Sequence, residues 1–281
     1  MGATMKAPIS VVIPCYRSSN TIVETIASVA AQTLVPAEVL LVDDGSGDGT
    51  VDLLNSIAAS YPAGWIKVVP LPENAGPSRA RNVGWESATQ EYVAFLDSDD
   101  SWMPKKIELQ MRALYDDPRI ALIGHKIAVL ARDKTVPIKP PIRTRVVKRY
   151  RLMLHNPFPT SSVVLRRDLP FRFDERYRRV EDFLLWAQIL LSGYRCVEIN
   201  QILSAFHKPA YGAGGLTMDI EAMEKAGRLV RLELLQQGLV TRTEHYITRS
   251  VGIFRKARRR AVVAMRERRS EQNFPSGGTG A

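Results

Sequence analysis

Short runs of β-branched and aliphatic residues recur through the first hundred positions, each giving way to a helical pattern or a polar cluster. Ser10-Val-Val-Ile-Pro14 leads through Cys15-Tyr-Arg17 to a helical stretch capped by Asn20 and running to Gln32. Val39-Leu-Leu-Val42 leads through Asp43-Asp-Gly-Ser46 to Thr50–Ala59, and Ile66–Leu71 leads to Gly76–Ser87. A further run, Tyr92–Leu96, enters Asp97-Ser-Asp-Asp100 directly. Continuous apolar runs suit strands buried on both faces, and their alternation with helical stretches predicts a parallel sheet. The expected fold is α/β: a mostly parallel central sheet with helices on both faces, plus a C-terminal helical extension. Ligands of such sheets sit beyond the carboxyl ends of the strands. The clusters at Cys15, Asp43 and Asp97 should therefore converge on one crevice.

Past Arg132 the pattern weakens. Pro137, Pro140 and Pro141 stand among six Lys or Arg between Lys134 and Arg149, which predicts a mobile connection over 132–147. Regular structure is expected again at Thr160–Leu165, in a helix over about 181–192, and in helices over Ile220–Gln236 and Thr241–Arg268.

Asp97, Ser98 and Asp99 place two carboxylates on one side of an extended chain, since side chains in a strand repeat every two residues. Hard divalent cations such as Mg²⁺ or Mn²⁺ take oxygen ligands, one or two from protein and others from substrate phosphates. In isolation such a triplet is equally a solvated turn; its place directly after an apolar strand favours metal and diphosphate binding. Asp43 and Asp44 can accept hydrogen bonds from a pyrimidine imide N–H or from ribose hydroxyls, or can close an Asx turn into Gly45. The helix opened by Gly76 offers free backbone N–H groups, with Arg79 and Arg81, to an anionic phosphate; a capped helix with solvated arginines is the competing reading. Glu181 and Asp182, at the start of a helix, either answer the helix dipole or supply a general base. His125, His155, His207 and His245 form no close ligand pair. Cys15 and Cys196 read as packing residues.

Together these segments resemble the inverting family-2 glycosyltransferases with a GT-A fold, over about residues 8–210. The stretches that carry the resemblance are Ser10-Val-Val-Ile-Pro-Cys-Tyr16, Val42-Asp-Asp-Gly-Ser46, Asn74-Ala-Gly-Pro-Ser-Arg-Ala-Arg-Asn82, Phe95-Leu-Asp-Ser-Asp-Asp100 and Glu181-Asp182. The resemblance implies a GT-A catalytic domain over 8–215, with a nucleotide-binding half to about 100 and an acceptor-binding half from 101. It implies a sugar moved from a UDP- or dTDP-linked donor onto an acceptor hydroxyl, by metal-assisted single displacement with inversion. Pro14 and Tyr16 would line the base pocket and Asp44 would bond the uracil or thymine edge. Asp99 would hold Mn²⁺ or Mg²⁺, Asp97 would lie near the ribose and the metal, and Arg81 would face the nucleotide. Asp182 would be the general base. Family members commonly carry a Tyr-Arg pair near a later Ser-rich loop, where this chain has Phe206-His-Lys208. His207 or Lys208 would then touch the diphosphate. Trp102 packs beneath the acceptor or plugs the core, and Glu181 is a further candidate for acceptor or diphosphate contact.

The net charge of +10 is concentrated near the end. Nine of the 39 Lys and Arg, against one acid, Glu267, fall between Arg249 and Arg269, leaving 30 basic and 28 acidic residues elsewhere. No specific nucleic-acid partner is expected from a nearly neutral body. Val251, Phe254, Ala261 and Met265 recur at helical spacing opposite those arginines. A basic helical extension over 216–270 can lie on an anionic membrane that carries a lipid-linked acceptor, or pack on the catalytic domain. The Gly-rich tail at 271–281 is expected to be disordered. No apolar run is long enough to span a membrane and Met1–Pro8 lacks a signal-peptide core, so a cytoplasmic protein, peripheral on the membrane at most, is expected. The alternative to an enzyme is a non-catalytic nucleotide-sugar or polyanion-binding protein on the same scaffold.

Overall fold

A computed structural model describes residues 6–132, 134–207, 220–248 and 250. The expected basic helix beyond residue 250 and the tail at 271–281 lie outside the described residues. The chain divides into two compact units, Met1–Val230 and Arg231–Ala281.

The first unit begins with β1 (Ala7–Cys15), α1 (Ile22–Ala30), β2 (Pro36–Asp43), α2 (Thr50–Ala59), β3 (Ile66–Pro70), α3 (Pro77–Ser87) and β4 (Tyr92–Phe95). β1 pairs in parallel with β2 and β4, and β2 with β3. Ile9, Val11, Val12, Ile13, Leu40, Leu41 and Val42 have no exposed surface, the signature of strands covered on both faces. The register sets Cys15 beside Asp43 and Asp43 beside Pro70, so the strands end along one line. α1 starts one residue after Thr21, whose hydroxyl donates to the Ser18 carbonyl, so Asn20 is not its cap.

The remainder is β5 (Asp100–Trp102), α4 (Lys106–Asp116), β6 (Ile120–Val129), β7 (Thr144–Val146), α5 (Arg149–Leu154), a 3₁₀ turn (Thr160–Ser162), β8 (Val164–Arg166), α6 (Glu181–Leu191) and β9 (Arg195–Phe206); α7 (Ile220–Gln236) contains the unit division. One sheet runs β3-β2-β1-β4-β8-β6-β9-β5, with β7 also on β9. The half from β1 to β4 is parallel as expected. Beyond β4 the sheet is mixed: β8 is antiparallel to β4 and β6, β5 and β7 are antiparallel to β9, and β6 is parallel to β9.

The stretch 132–147 is not a free connection. Lys139 N–H donates to the Gln201 side chain, whose amide returns a bond to the Lys139 carbonyl, and Asn200 does the same for Arg143 and Pro141. β7 then pairs with Val197–Ile199. Proline removes donors from this segment, and side-chain amides of β9 take their place.

Candidate active site

The loop after β2 is built by its two aspartates. Asp43 accepts from the Ser46 N–H (3.1 Å) and hydroxyl (2.5 Å), closing the Asx turn. Asp44, almost fully buried, accepts the N–H groups of Ala75 (2.9 Å) and Gly76 (2.9 Å). Burial raises the Asp44 carboxyl above its usual range, against those two amides and Arg178, which hold it down. Of the amides at the start of α3, that of the cap Gly76 is thus engaged by Asp44. Gly45 sits at φ +62, and a Cβ on it would lie 2.4 Å from the Glu73 carbonyl carbon, so the turn admits only glycine. Tyr16 is exposed at the end of β1, and the next residue, Arg17, holds φ 48 while its N–H bonds the Ser46 hydroxyl. Pro14 is half-buried beside Val42. Cys15 and Cys196 are buried with thiols pushed up to about 12 by desolvation, as packing residues should be.

Arg81 departs from the expected nucleotide-facing pose. Its guanidinium is buried and forks between two carboxylates, Nη1 to Glu181 at 2.8 Å and Nη2 to Asp97 at 2.8 Å. Burial works against its charge and the two acids outweigh it, so the arginine is held more firmly protonated than usual. The physical reason for the pose is that two acids, one after β4 and one opening α6, need a planar double donor between them. Arg81 also faces the Phe173 ring at 5.4 Å, within the aromatic packing of Trp85, Phe95, Phe173 and Trp186.

Asp97 is one-third exposed, and its N–H donates to the Ser161 hydroxyl, which in turn donates to Asp100 at 2.5 Å. Asp99 is half-buried on the same loop. Among the described residues no group of three or more His, Cys, Asp or Glu forms a preassembled metal cage. The acidic triplet suits a different kind of site. One or two hard oxygen donors at the mouth of a crevice hold Mg²⁺ or Mn²⁺ when a diphosphate supplies the rest. One oxygen of Asp97 is already held by Arg81.

Asp182 lies at the start of α6, after Val180, a β-branched residue at φ 56 and hence a strained hinge into the helix. Its carboxylate accepts the Phe183 N–H (2.6 Å) on one oxygen and the Asn156 amide (3.2 Å) and Thr160 hydroxyl (3.4 Å) on the other. Burial first, then the neighbouring Glu181 carboxylate, push its carboxyl up to about 7, against the Phe183 amide and Arg81. A carboxylate poised there can take up and release a proton near neutrality.

Three expected contacts read differently in the structure. Trp102 is 3% exposed, with its indole N–H donated to the Ser161 carbonyl at 2.8 Å, so it plugs the core instead of meeting a ligand. His207 spends both ring nitrogens, on the Ser101 hydroxyl (2.8 Å) and the Leu130 carbonyl (3.0 Å). Glu181 is buried with its Oε1 held by Arg81, and a carboxylate beside a diphosphate would meet a like charge. Lys208 lies outside the described residues. The residues that sequence reasoning missed are Asn156, Thr160 and Ser161; the Asn-Pro and Thr-Ser-Ser pattern signals a turn but not what it touches.

The model of "Glycosyl transferase family 2" matches residues 10–173. The amylovoran biosynthesis glycosyltransferase AmsB of Erwinia amylovora is 30% identical over 209 residues, 70% of this chain and 69% of that protein. The succinoglycan biosynthesis protein ExoO of Rhizobium meliloti is 30% identical over 269 residues, 89% and 74% of the two chains. Residues 1–349 of TarS from S. aureus, solved with UDP-GlcNAc, superpose with a TM-score of 0.62 at 26% identity, covering 82% of this chain and 67% of that one. Against a longer TarS chain the match spans 40% of its length. A mannosyltransferase from Pyrobaculum calidifontis, solved with GDP-Man and Mn²⁺, shares the fold at a TM-score of 0.63 and 19% identity, covering 83% of this chain and 65% of that one. The sheet order, the acidic loop after β4 and the match over more than half its length make this chain a member of glycosyltransferase family 2, with the GT-A fold.

Proposed function

We propose that the protein transfers a sugar from a UDP- or dTDP-linked donor to an acceptor hydroxyl with inversion, in the synthesis of a cell-surface polysaccharide or glycoconjugate. The observation that carries this reading is the Asp97–Arg81–Glu181 bridge, which ties the acidic triplet to the helix end that bears Asp182. Relatives named for amylovoran, succinoglycan and teichuronic acid biosynthesis support the polymer role.

In this reading Tyr16 and Pro14 border the base, and Asp44 shapes that pocket through its hold on the Ala75–Gly76 backbone. Asp99, with Asp97, would hold Mn²⁺ or Mg²⁺, whose charge offsets that of the departing nucleoside diphosphate. Asp182 takes the proton of the acceptor hydroxyl as its oxygen bonds the anomeric carbon and the bond to the diphosphate breaks. One displacement inverts that carbon. No described helix is long and apolar enough to cross a membrane. The basic segment after residue 248 supplies a peripheral contact with anionic lipid.

Calorimetric titration of UDP, dTDP and GDP, with and without Mn²⁺, tests the donor site. UDP or dTDP should bind in the presence of metal and lose that dependence in Asp99→Ala. Asp182→Asn should bind the nucleotide and fail to transfer. Folded protein that binds none of the three would overturn the enzyme reading in favour of a polyanion-binding scaffold.

A further inference from the structure

The segment 156–162 touches both sides of the site. At one end, Ser161 joins the acidic loop to the core: its hydroxyl accepts the Asp97 N–H and donates to Asp100, and its carbonyl accepts from Trp102 and Ser204. Gln110 donates to the Ser162 carbonyl at 2.9 Å, and Phe158, with no exposed surface, anchors the middle. At the other end, Asn156 and Thr160 meet one oxygen of Asp182.

The Asn156 amide has only one orientation that satisfies its surroundings. Its carbonyl oxygen accepts the Phe158 N–H at 3.0 Å, so the NH₂ group must face Asp182. The two oxygens of the base are therefore distinct: one is fixed to the helix backbone by Phe183 and the other receives side-chain donors from the turn. Pro157 and Pro159 flank Phe158 and restrict the backbone between the two donors.

Resting on the reading of Asp182 as base, we infer that Asn156 and Thr160 are positioning residues for it, holding its outer oxygen in a fixed direction. The same turn, through Ser161, sets that oxygen at a constant separation from the acidic triplet. Hydrogen bonds to a carboxylate favour its charged form. The charged groups that face Asp182 are Glu181 on its own helix, Arg81 from α3 and Asp97 after β4. Against the two acids, the donors of the turn help keep the base ionised near neutrality.

The test is carboxyl ¹³C NMR titration of Asp182 in the full chain, assigned by difference with Asp182→Asn. It runs alongside the pH dependence of UDP release from UDP-GlcNAc or UDP-glucose and calorimetric binding of UDP with Mn²⁺. Asn156→Ala and Thr160→Val should move the Asp182 titration to higher pH by about half a unit or more, with the acid limb of kcat/KM following. kcat below that limb should fall roughly ten-fold while UDP binding stays within about two-fold. Thr160→Ser, which keeps the hydroxyl, should restore the wild-type profile; a merely structural role predicts no such split between the two Thr160 variants. An unshifted Asp182 titration in Asn156→Ala and Thr160→Val overturns the positioning role even if Asp182→Asn is inactive. Full turnover by Asp182→Asn overturns the base reading itself, and this inference with it.

Discussion

At the scale of single residues, half-buried Asp182 and buried Lys106 show how environment sets protonation. Asp182, raised to about 7 by burial and by Glu181, is protonated below that pH and unable to accept a proton. Transfer rate should rise as pH passes through about 7, and Asp182→Asn should remove this limb and lower kcat by roughly 10²–10⁴-fold, measured as UDP release. Lys106 is the opposite case. It is wholly buried, its amine finds no hydrogen-bond partner among the described residues, and it stands 3.5 Å from the centroid of Trp102. The ring offers a desolvated cation about 2 kcal/mol, less than the several kcal/mol that burying an ammonium costs. Burial therefore wins and lowers its pKa well below the ordinary value. The unfolded chain binds a proton here that the folded chain does not, so this group lowers stability as pH falls from about 10.5. Lys106→Met should accordingly raise unfolding stability by about 1–3 kcal/mol at neutral pH, with the gain shrinking as pH climbs toward 10.5; urea titrations at three pH values would read it. The sequence carried no sign of either environment, because the burial that dominates both comes from how the elements pack.

Elements explain which parts of the site were legible. β1, β2 and β4 announce themselves, since parallel strands buried on both faces must be continuous apolar runs, and the acidic clusters follow them directly in the chain. The partners Arg81 and Glu181 stand a hundred positions apart, and their pairing follows from where α3 and α6 pack. The strap at 132–147 looked unstructured because its order comes from Asn200 and Gln201 on another strand. The 156–162 turn belongs to the same class: its function follows from packing against β6. A Cβ on Gly124 would lie 2.5 Å from the Phe158 ring and 3.1 Å from the Ser162 hydroxyl, and Phe158 is enclosed with no room to retreat. Gly124→Ala should push the turn toward the crevice and cut kcat roughly 10–100-fold, since small misplacements of positioned groups cost that much. UDP affinity, set by β1, β2 and β4, should change by less than about two-fold. Equal losses in both would mean that the substitution unsettles the sheet and not the turn.

Across the whole molecule, the candidate site residues from Tyr16 to Asp182 all fall within the unit Met1–Val230. None of its loops can form the site alone, since Asp44 needs Gly76, Asp97 needs Arg81 and Asp182 needs Asn156. A donor nucleotide that binds there binds only the folded unit, so its affinity must appear as stability of that unit as a whole. At a hundred times its dissociation constant, UDP with Mn²⁺ should add about 2.7 kcal/mol. For a unit of this size that corresponds to a rise in Tm of roughly 5–10 °C. Asp99→Ala should forfeit most of the metal-dependent part of the rise, while Asp182→Asn, which leaves the nucleotide side intact, should keep it. Differential scanning calorimetry of the three proteins separates the possibilities through the pattern and not the size of the shift. A rise retained in Asp99→Ala would place the diphosphate away from the acidic triplet. A rise lost in Asp182→Asn would make that residue part of donor binding, and the division of labour between the β4 loop and the start of α6 would have to be redrawn.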